Sequence, residues 1–422
     1  PRCPRSPQRG RRAAAARGTR ECPRSVCLSR GMWRGALLAP WLAAAAAFAL
    51  EAAPLAAGAP LSPDPSSSVC AFSAAYPRSY VAYRADEPPD LDGRVTGDKA
   101  WDTVAWTDPF EDISTETQPR LLTRAKIRWD DQFLYVGARL QEPDVWANLT
   151  EHDSVIFRDN DFEIFVDADQ STAYYKEFEM NALGTDWDLC LNRPYDNGGH
   201  ENSSRVLGAR GFDMQPLGLA SAARTDGVVN VPSVPASFWE AEARLPMSGL
   251  VCNTTAKMPS PGDLWRINMS RVEWKVTVRD GQYVKSPPTQ AEDNWVWQKQ
   301  GQIAMHIPER WGYVQFADSD VNGTEPIRDK DWPLRYMASA LYDAQELFFT
   351  QHGRYATTQE LPALAVLAPP HTLDGSCSSR VAIALAPDTG SGPEYAAEIV
   401  SAGGGRGGGG GAAAPGAPRG QN

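Results

Sequence analysis

DNDFEIFVDADQSTAYYKEFEMNALGTDWDL (159–189) decides the fold. In its first half Phe162, Ile164 and Val166 alternate with Asp161, Glu163, Phe165 and Asp167. In its second half Tyr174, Phe178 and Met180 alternate with Tyr175, Glu177, Glu179 and Asn181. Period-two alternation marks half-buried strands, because successive side chains leave opposite faces of an extended chain. DADQSTA (167–173) reads as a hairpin connection, which makes the two strands antiparallel neighbours. Glu163, Glu177 and Glu179 then crowd within cross-strand distance on one face, which is destabilising unless something cationic sits among them. Arg124, Arg128, Arg139 and Arg266 are the available partners.

The same alternation extends to TRAKIRW (123–129), QFLYVGARL (132–140), FWEAEARL (238–245) and LWRINMSRVEW (264–274). Ala125, Ile127 and Trp129, with Trp265, Ile267 and Met269, join the apolar sets above in an inter-sheet core. Many short strands without a long helical pattern predict an all-β fold over 80–317, an antiparallel, jelly-roll-like β-sandwich. Beyond Asp318 the texture changes. PLRYMASALYDAQELFFTQHG (333–353) places Met337, Leu341, Ala344 and Phe348 near helical spacing, with Gly353 suited to a C-cap. VAIALA (381–386) and EYAAEIV (394–400) read as strands, so 332–402 is expected to be a small α+β appendage. The Gly/Ala-rich tail 403–422 cannot bury a core and is expected to be disordered.

The net charge of −11 conceals a split, because residues 1–31 hold nine Arg against one Glu. The acidic remainder speaks against nucleic-acid partners and anionic membrane. From Met32, Arg34 and the apolar GALLAPWLAAAAAFAL (35–50) read as a secretory signal over 32–59, followed by a Pro/Ser-rich linker over 60–79. Residues 1–31 read as an upstream stretch that is not translated or as an Arg-rich transit segment, and a single-pass anchor is a third reading of the apolar run. No comparable apolar run follows in the mature chain. Sequons at Asn148, Asn202, Asn253 and Asn322 suit a secreted or cell-surface glycoprotein, whereas the one at Asn268 falls in an expected strand. Cys70, Cys190, Cys252 and Cys377 match no zinc spacing and are read as disulfide partners, the alternative being buried free thiols.

A polar sheet face of this kind has two readings, a solvated surface and a polyol site. Sugar hydroxyls donate to carboxylates and accept from guanidinium groups, while the C–H face of the ring stacks on an aromatic plane. Trp146, Trp187, Trp274, Trp295 and Trp297 lie at expected strand ends or in loops. Three groups of sequence blocks, in order, resemble the family 9 carbohydrate-binding module. The first is LDGRVTGDKAWDTVAWTDPF (91–110). RWDDQFLYVGARLQEPDVWANLTEHDSVIFRDNDFEIFVDADQ (128–170) and YYKEFEMNALGTDWDL (174–189) follow. WRINMSRVEW (265–274), NWVWQKQG (294–301) and PERWGYVQF (308–316) complete the set, over about residues 80–317. The resemblance implies a sandwich that binds an oligosaccharide or polysaccharide non-covalently between two tryptophans, and structural calcium in some members. It casts Trp146 as one platform and Trp295 or Trp297 as the other, with Arg158 and Glu163 nearby. Glu177 and Arg266 join the expected sugar-binding set from the polar face.

Rival chemistries are weaker. Asp161 and Glu163, two apart on a strand, stand roughly 7 Å apart, compatible with glycoside hydrolysis, but such pairs are common and no separate catalytic domain accompanies them. Haem would need ligands facing one iron, and adjacent Met305 and His306 on a regular strand face opposite ways. Asp318, Asp320, Asn322, Gly323 and Asp329 partly fit a calcium loop, although Glu325, Pro326 and Asp329 itself depart from it. The plain alternative there is an acidic turn. A non-catalytic sugar-binding module is therefore expected, or an interaction scaffold with a degenerate sugar site.

Overall fold

Each of the alternating runs quoted above is a strand. The computed structural model describes residues 76–286, 291–318, 324–369, 372–373, 378–385, 395–401 and 414–415. In chain order its strands begin with β1 (Ser79–Arg84), β2 (Glu111–Asp112), β3 (Thr123–Trp129), β4 (Phe133–Gln141), β5 (Asp161–Asp167) and β6 (Tyr175–Asn181). Next come β7 (Asp186–Leu191), β8 (Glu201–Asn202), β9 (Ala220–Thr225), β10 (Phe238–Pro246), β11 (Leu264–Glu273) and β12 (Val276–Arg279). β13 (Gln282–Lys285), β14 (Asp293–Val296), β15 (Gly312–Ala317), β16 (Ser378–Leu385) and β17 (Tyr395–Ser401) complete the main set.

The strand order is β8-β7-β6-β5-β11-β15-β1-β3-β4-β10-β9, with β14 beside β11 and β2 beside β14. Inward side chains from both halves of this path share one apolar cluster: Ile127, Val136 and Trp239 lie in it with Phe162, Ile164, Phe178, Ile267 and Met269. The sheet therefore curls over itself into two layers, the sandwich expected from alternation. One detail departs from a purely antiparallel reading. β1 runs parallel to both β15 and β3, because it is inserted between strands that its own neighbours in sequence do not provide. Tyr174 also departs. It precedes β6 in a left-handed conformation (φ 53°) and is exposed, so it takes no part in the core.

The outer faces are covered as well. Val95, Trp101 and Val104 pack on Tyr135 of β4. Ile113, Ile156, Val296, Met305 and Trp311 pack on Phe165, Tyr175 and Trp187. Every residue of β5 and β6 is consequently buried, and the acidic face is not a solvated one.

The C-terminal segment has its own core, in which Met337, Leu341, Phe348 and Leu364 meet Val381, Ile383 and Ile399. Its helix, Trp332–His352, ends at Gly353 (φ 68°), whose N–H donates to Phe349 O at 2.8 Å, the αL cap that glycine adopts without strain. β16 and β17 pair antiparallel, and Ala414–Pro415, inside the tail expected to be structureless, pairs with β17. No described helix is long and apolar enough to cross a membrane. The expected signal segment lies outside the described residues, as do Cys70 and Cys377. Cys190 is a buried free thiol, which removes it from the expected disulfide set; its side chain fills core space instead.

Gly312 shows how tightly the layers close. A Cβ there would stand 2.6 Å from the Trp297 ring and 2.9 Å from Arg78 O. Gly312→Ala is therefore expected to destabilise the fold by about 1–3 kcal/mol, read as a lowered thermal midpoint. An unchanged midpoint would mean that Trp297 is not packed as described.

Candidate functional site

Register lines up the acidic residues. Glu163 on β5 stands opposite Glu179 on β6, which stands opposite Trp187 on β7, and Ser270 on β11 flanks Glu163 from the other side. One step along, Phe165 faces Glu177. Asp161 completes the group, its Oδ1 accepting from Val272 N at 2.9 Å. Carboxylate oxygens of Asp161, Glu163 and Glu179 all lie within 4.8 Å of one another.

Three of them, Glu163, Glu177 and Glu179, floor a pocket of about 200 Å³. Glu163, Glu177 and Glu179 line it with Trp187 and His306, and Phe157 and Tyr195 stand at its rim, 40% and 42% exposed. Among the described residues no Lys or Arg forms an ion pair with Asp161, Glu163, Glu177 or Glu179. Burial holds His306 neutral, its pKa lowered to about 4, with Nδ1 2.9 Å from Tyr175 Oη. Burial also pushes Glu163 up to about 7, and burial followed by the Glu163 charge raises Asp161, Glu177 and Glu179 well above the usual carboxylate range. Isolated carboxylates removed from water retain protons in this way. The cluster can therefore donate as well as accept hydrogen bonds, or it can hold a hard cation on three oxygens. Trp187 Nε1 is buried without a hydrogen-bond partner, and Trp187 lines the pocket.

The residues expected at the site divide. Glu163 and Glu177 meet in the pocket. The arginines of β3 and β4 expected to neutralise them do not arrive, because three strands separate β3 from β5 and four separate β4 from it in the sheet order. Arg139 pairs with Glu240 at 2.8 Å, and Arg128 donates to Arg84 O at 2.8 Å. Arg266 donates to Trp311 O (3.0 Å) and the Tyr313 hydroxyl (2.8 Å) and lines a separate cavity of about 630 Å³ with Asp169, Tyr174, Arg335 and Tyr342. Trp295 and Trp297 belong to the central core, 3% and 1% exposed, and offer no face to a sugar. Trp146 is 5% exposed, with the Lys285 ammonium 5.4 Å from its ring centre. Arg158 is exposed beside Phe157.

Among the calcium-loop candidates, Asp318 is exposed and pairs with Arg84 at 3.4 Å, while Asp329 Oδ2 accepts from Tyr313 and Arg335, each at 3.0 Å. Asp320 and Asn322 lie outside the described residues. Met305 packs with Trp311, and Met180 and Met269 are core residues, so none of the three methionines is available to a haem in this packing. Of the sequons, Asn148 and Asn253 are exposed, Asn202 is half-buried and Asn268 is buried. Sequence reading did not place Phe157, Tyr195 or His306 at this site: Phe157 and Tyr195 lie in short 3-10 turns and His306 in a loop, none of which carries a periodic signal.

The raised pKa values predict a pH dependence of known sign. Between about 4.3, where an unfolded Glu ionises, and about 7, the native state holds a proton on Glu163 that the unfolded chain has lost. Stability is then greatest below the lower value and is lost as pH rises through the upper one. Thermal unfolding of the ligand-free protein should show a midpoint that falls between pH 5 and pH 7, and Glu163→Gln should flatten that fall. An identical slope in the variant would remove Glu163 as its source.

Comparison with known proteins gives one family-model match, over part of the chain. Residues 91–191 match the family model described as carbohydrate family 9 binding domain-like. No curated protein matches the chain. Among solved structures, a family 9 carbohydrate-binding module from Caldicellulosiruptor kristjanssonii in complex with cellotriose is 18% identical, covering 60% of this chain and all of that one at a TM-score of 0.36. The same kind of module from that organism with glucose gives 18% identity, 58% and 100% coverage and a TM-score of 0.35. A Bacteroides uniformis protein gives 14% identity, 57% and 99% coverage and a TM-score of 0.40. Asp161, Glu163, Glu177, Glu179 and Trp187 all fall inside the span that matches this family model.

Proposed function

We propose that this domain binds carbohydrate non-covalently in the pocket over β5, β6 and β7. The observation that supports this most is the convergence of Glu163, Glu177 and Glu179 with Trp187 and Tyr195 around one opening, inside the span that matches a carbohydrate-binding family. Partly protonated carboxyl groups serve sugar hydroxyls, which both donate and accept. Tyr195, nearly half exposed at the rim, supplies an aromatic plane for the C–H face of a ring. A pocket of this size suits one sugar unit, so a chain end or a single residue of an oligosaccharide is the expected occupant, with the rest of a polysaccharide outside. The setting proposed for it is extracellular, at a wall or matrix.

A second reading is favoured by the burial of Trp295 and Trp297. With those rings in the core, the site has lost one family-type platform, and the domain would act as an interaction scaffold. Isothermal titration of the full chain with cello-, xylo- and manno-oligosaccharides separates the two. Saturable heat is expected for at least one series. Tyr195→Ala should weaken it by about 1–3 kcal/mol, by analogy with aromatic stacking on a base, while Tyr174→Ala, in the larger cavity, leaves it unchanged. Heat lost on Tyr174→Ala instead would move the site to that cavity. No heat with any series would leave the scaffold reading standing.

A further inference from the structure

A second group of titratable side chains lies on the opposite face of β7. Asp186 and Asp188 point away from Trp187, toward His152 and Asp153 in the turn that precedes β5. Carboxylate oxygens of Asp153 and Asp188 and a ring nitrogen of His152 all lie within 4.8 Å of one another.

The polar atoms here are held on one side and left open on the other. Asp186 Oδ1 is 2.8 Å from His152 Nδ1, and Asp186 Oδ2 accepts from Ser221 Oγ at 2.8 Å, so that ring edge is fixed. His152 Nε2 is buried, makes no hydrogen bond and stands 3.4 Å from Asp153 Oδ1. Asp153 Oδ2 is taken by the Ser204 hydroxyl. Asp188 Oδ2 accepts from Met214 N at 2.8 Å, but Asp188 Oδ1 has no partner although the residue is 0% exposed. A fully buried carboxylate oxygen without a donor is costly. Among the described residues no Lys or Arg forms an ion pair with Asp153, Asp186 or Asp188.

We propose that His152 Nε2, Asp153 and Asp188 bind a zinc ion, with Asp186 as the positioning residue for the imidazole. An Asp that fixes Nδ1 while Nε2 stands beside a second carboxylate, that of Asp153, is the arrangement that orients a metal-binding histidine. One imidazole with two carboxylates suits zinc better than calcium, which prefers six or more oxygens. Zinc bonds of about 2.0–2.2 Å require these ligand atoms to close by roughly 1 Å, a side-chain movement. A water or substrate oxygen would fill the fourth position. The site lies across the sheet from the proposed sugar pocket and does not rest on it.

The test is titration of the EDTA-stripped full chain with zinc chloride, followed by calorimetry and by the thermal midpoint. One zinc per chain is expected, with a midpoint raised by several degrees. His152→Gln and Asp188→Asn should abolish the binding, and Asp186→Asn should weaken it by about 10–100-fold. Glu163→Gln, in the other acidic cluster, should leave it intact. Absence of zinc binding overturns the proposal, as does zinc binding that survives His152→Gln, or calcium binding with equal affinity. Should His152→Gln fail to fold, an unweakened Asp186→Asn variant overturns it on its own.

Discussion

The arrangement depends on one constraint: β5 and β6 are covered on both faces, and one of those faces carries carboxylates. Central strands of a doubly covered sheet usually carry apolar residues throughout. Here Glu163 and Glu179 oppose each other directly, with Asp161 and Glu177 alongside and, among the described residues, no guanidinium or ammonium paired to them. Burying an unpaired charge costs several kcal/mol or more, so the groups keep protons instead, and their raised pKa values follow from burial before anything else. The covering layer, from Ile113 to Trp311, leaves an opening where Glu163, Glu177 and Glu179 meet Trp187 and His306. A buried polar floor beneath an aromatic rim is poor for stability and well suited to a neutral polyol. Where stability is given up in this way, a ligand is the usual reason.

Much of this was legible in the residues. Alternation placed β3, β4, β5, β6, β10 and β11 to within a residue or two, because a period of two has no other structural meaning over seven to ten residues. It also put Glu163, Glu177 and Glu179 on one face, and the hairpin reading brought them together. What alternation cannot supply is strand order. Arg124, Arg128 and Arg139 share the polar face of the sheet with the glutamates, but β11, β15 and β1 stand between them, and each of those strands pairs across a long sequence separation. The parallel insertion of β1 has the same origin.

The tryptophans were harder still. Trp295 lies in a short strand and Trp297 just beyond it, so an exposed platform and a core anchor have the same sequence appearance. Gly312 packs against Trp297 and settles which it is, but that contact spans 15 residues and has no periodic signal. Tyr195 and His306 enter the site from turns. Their positions follow from where the covering layer crosses the sheet. The helix of the C-terminal segment was visible because its apolar spacing and terminal glycine are local features, confirmed by the Gly353 cap.

The most direct measurement of the central claim is the indole N–H spectrum of the protein, recorded by NMR while an oligosaccharide that binds is added. The Trp187 Nε1–H resonance is expected to move saturably, since that donor is buried at the pocket without a partner, while Trp295 and Trp297 in the core stay fixed. A titration that moves Trp295 or Trp297 and leaves Trp187 in place would rule out sugar binding in this pocket and put the sugar on the other side of this sheet.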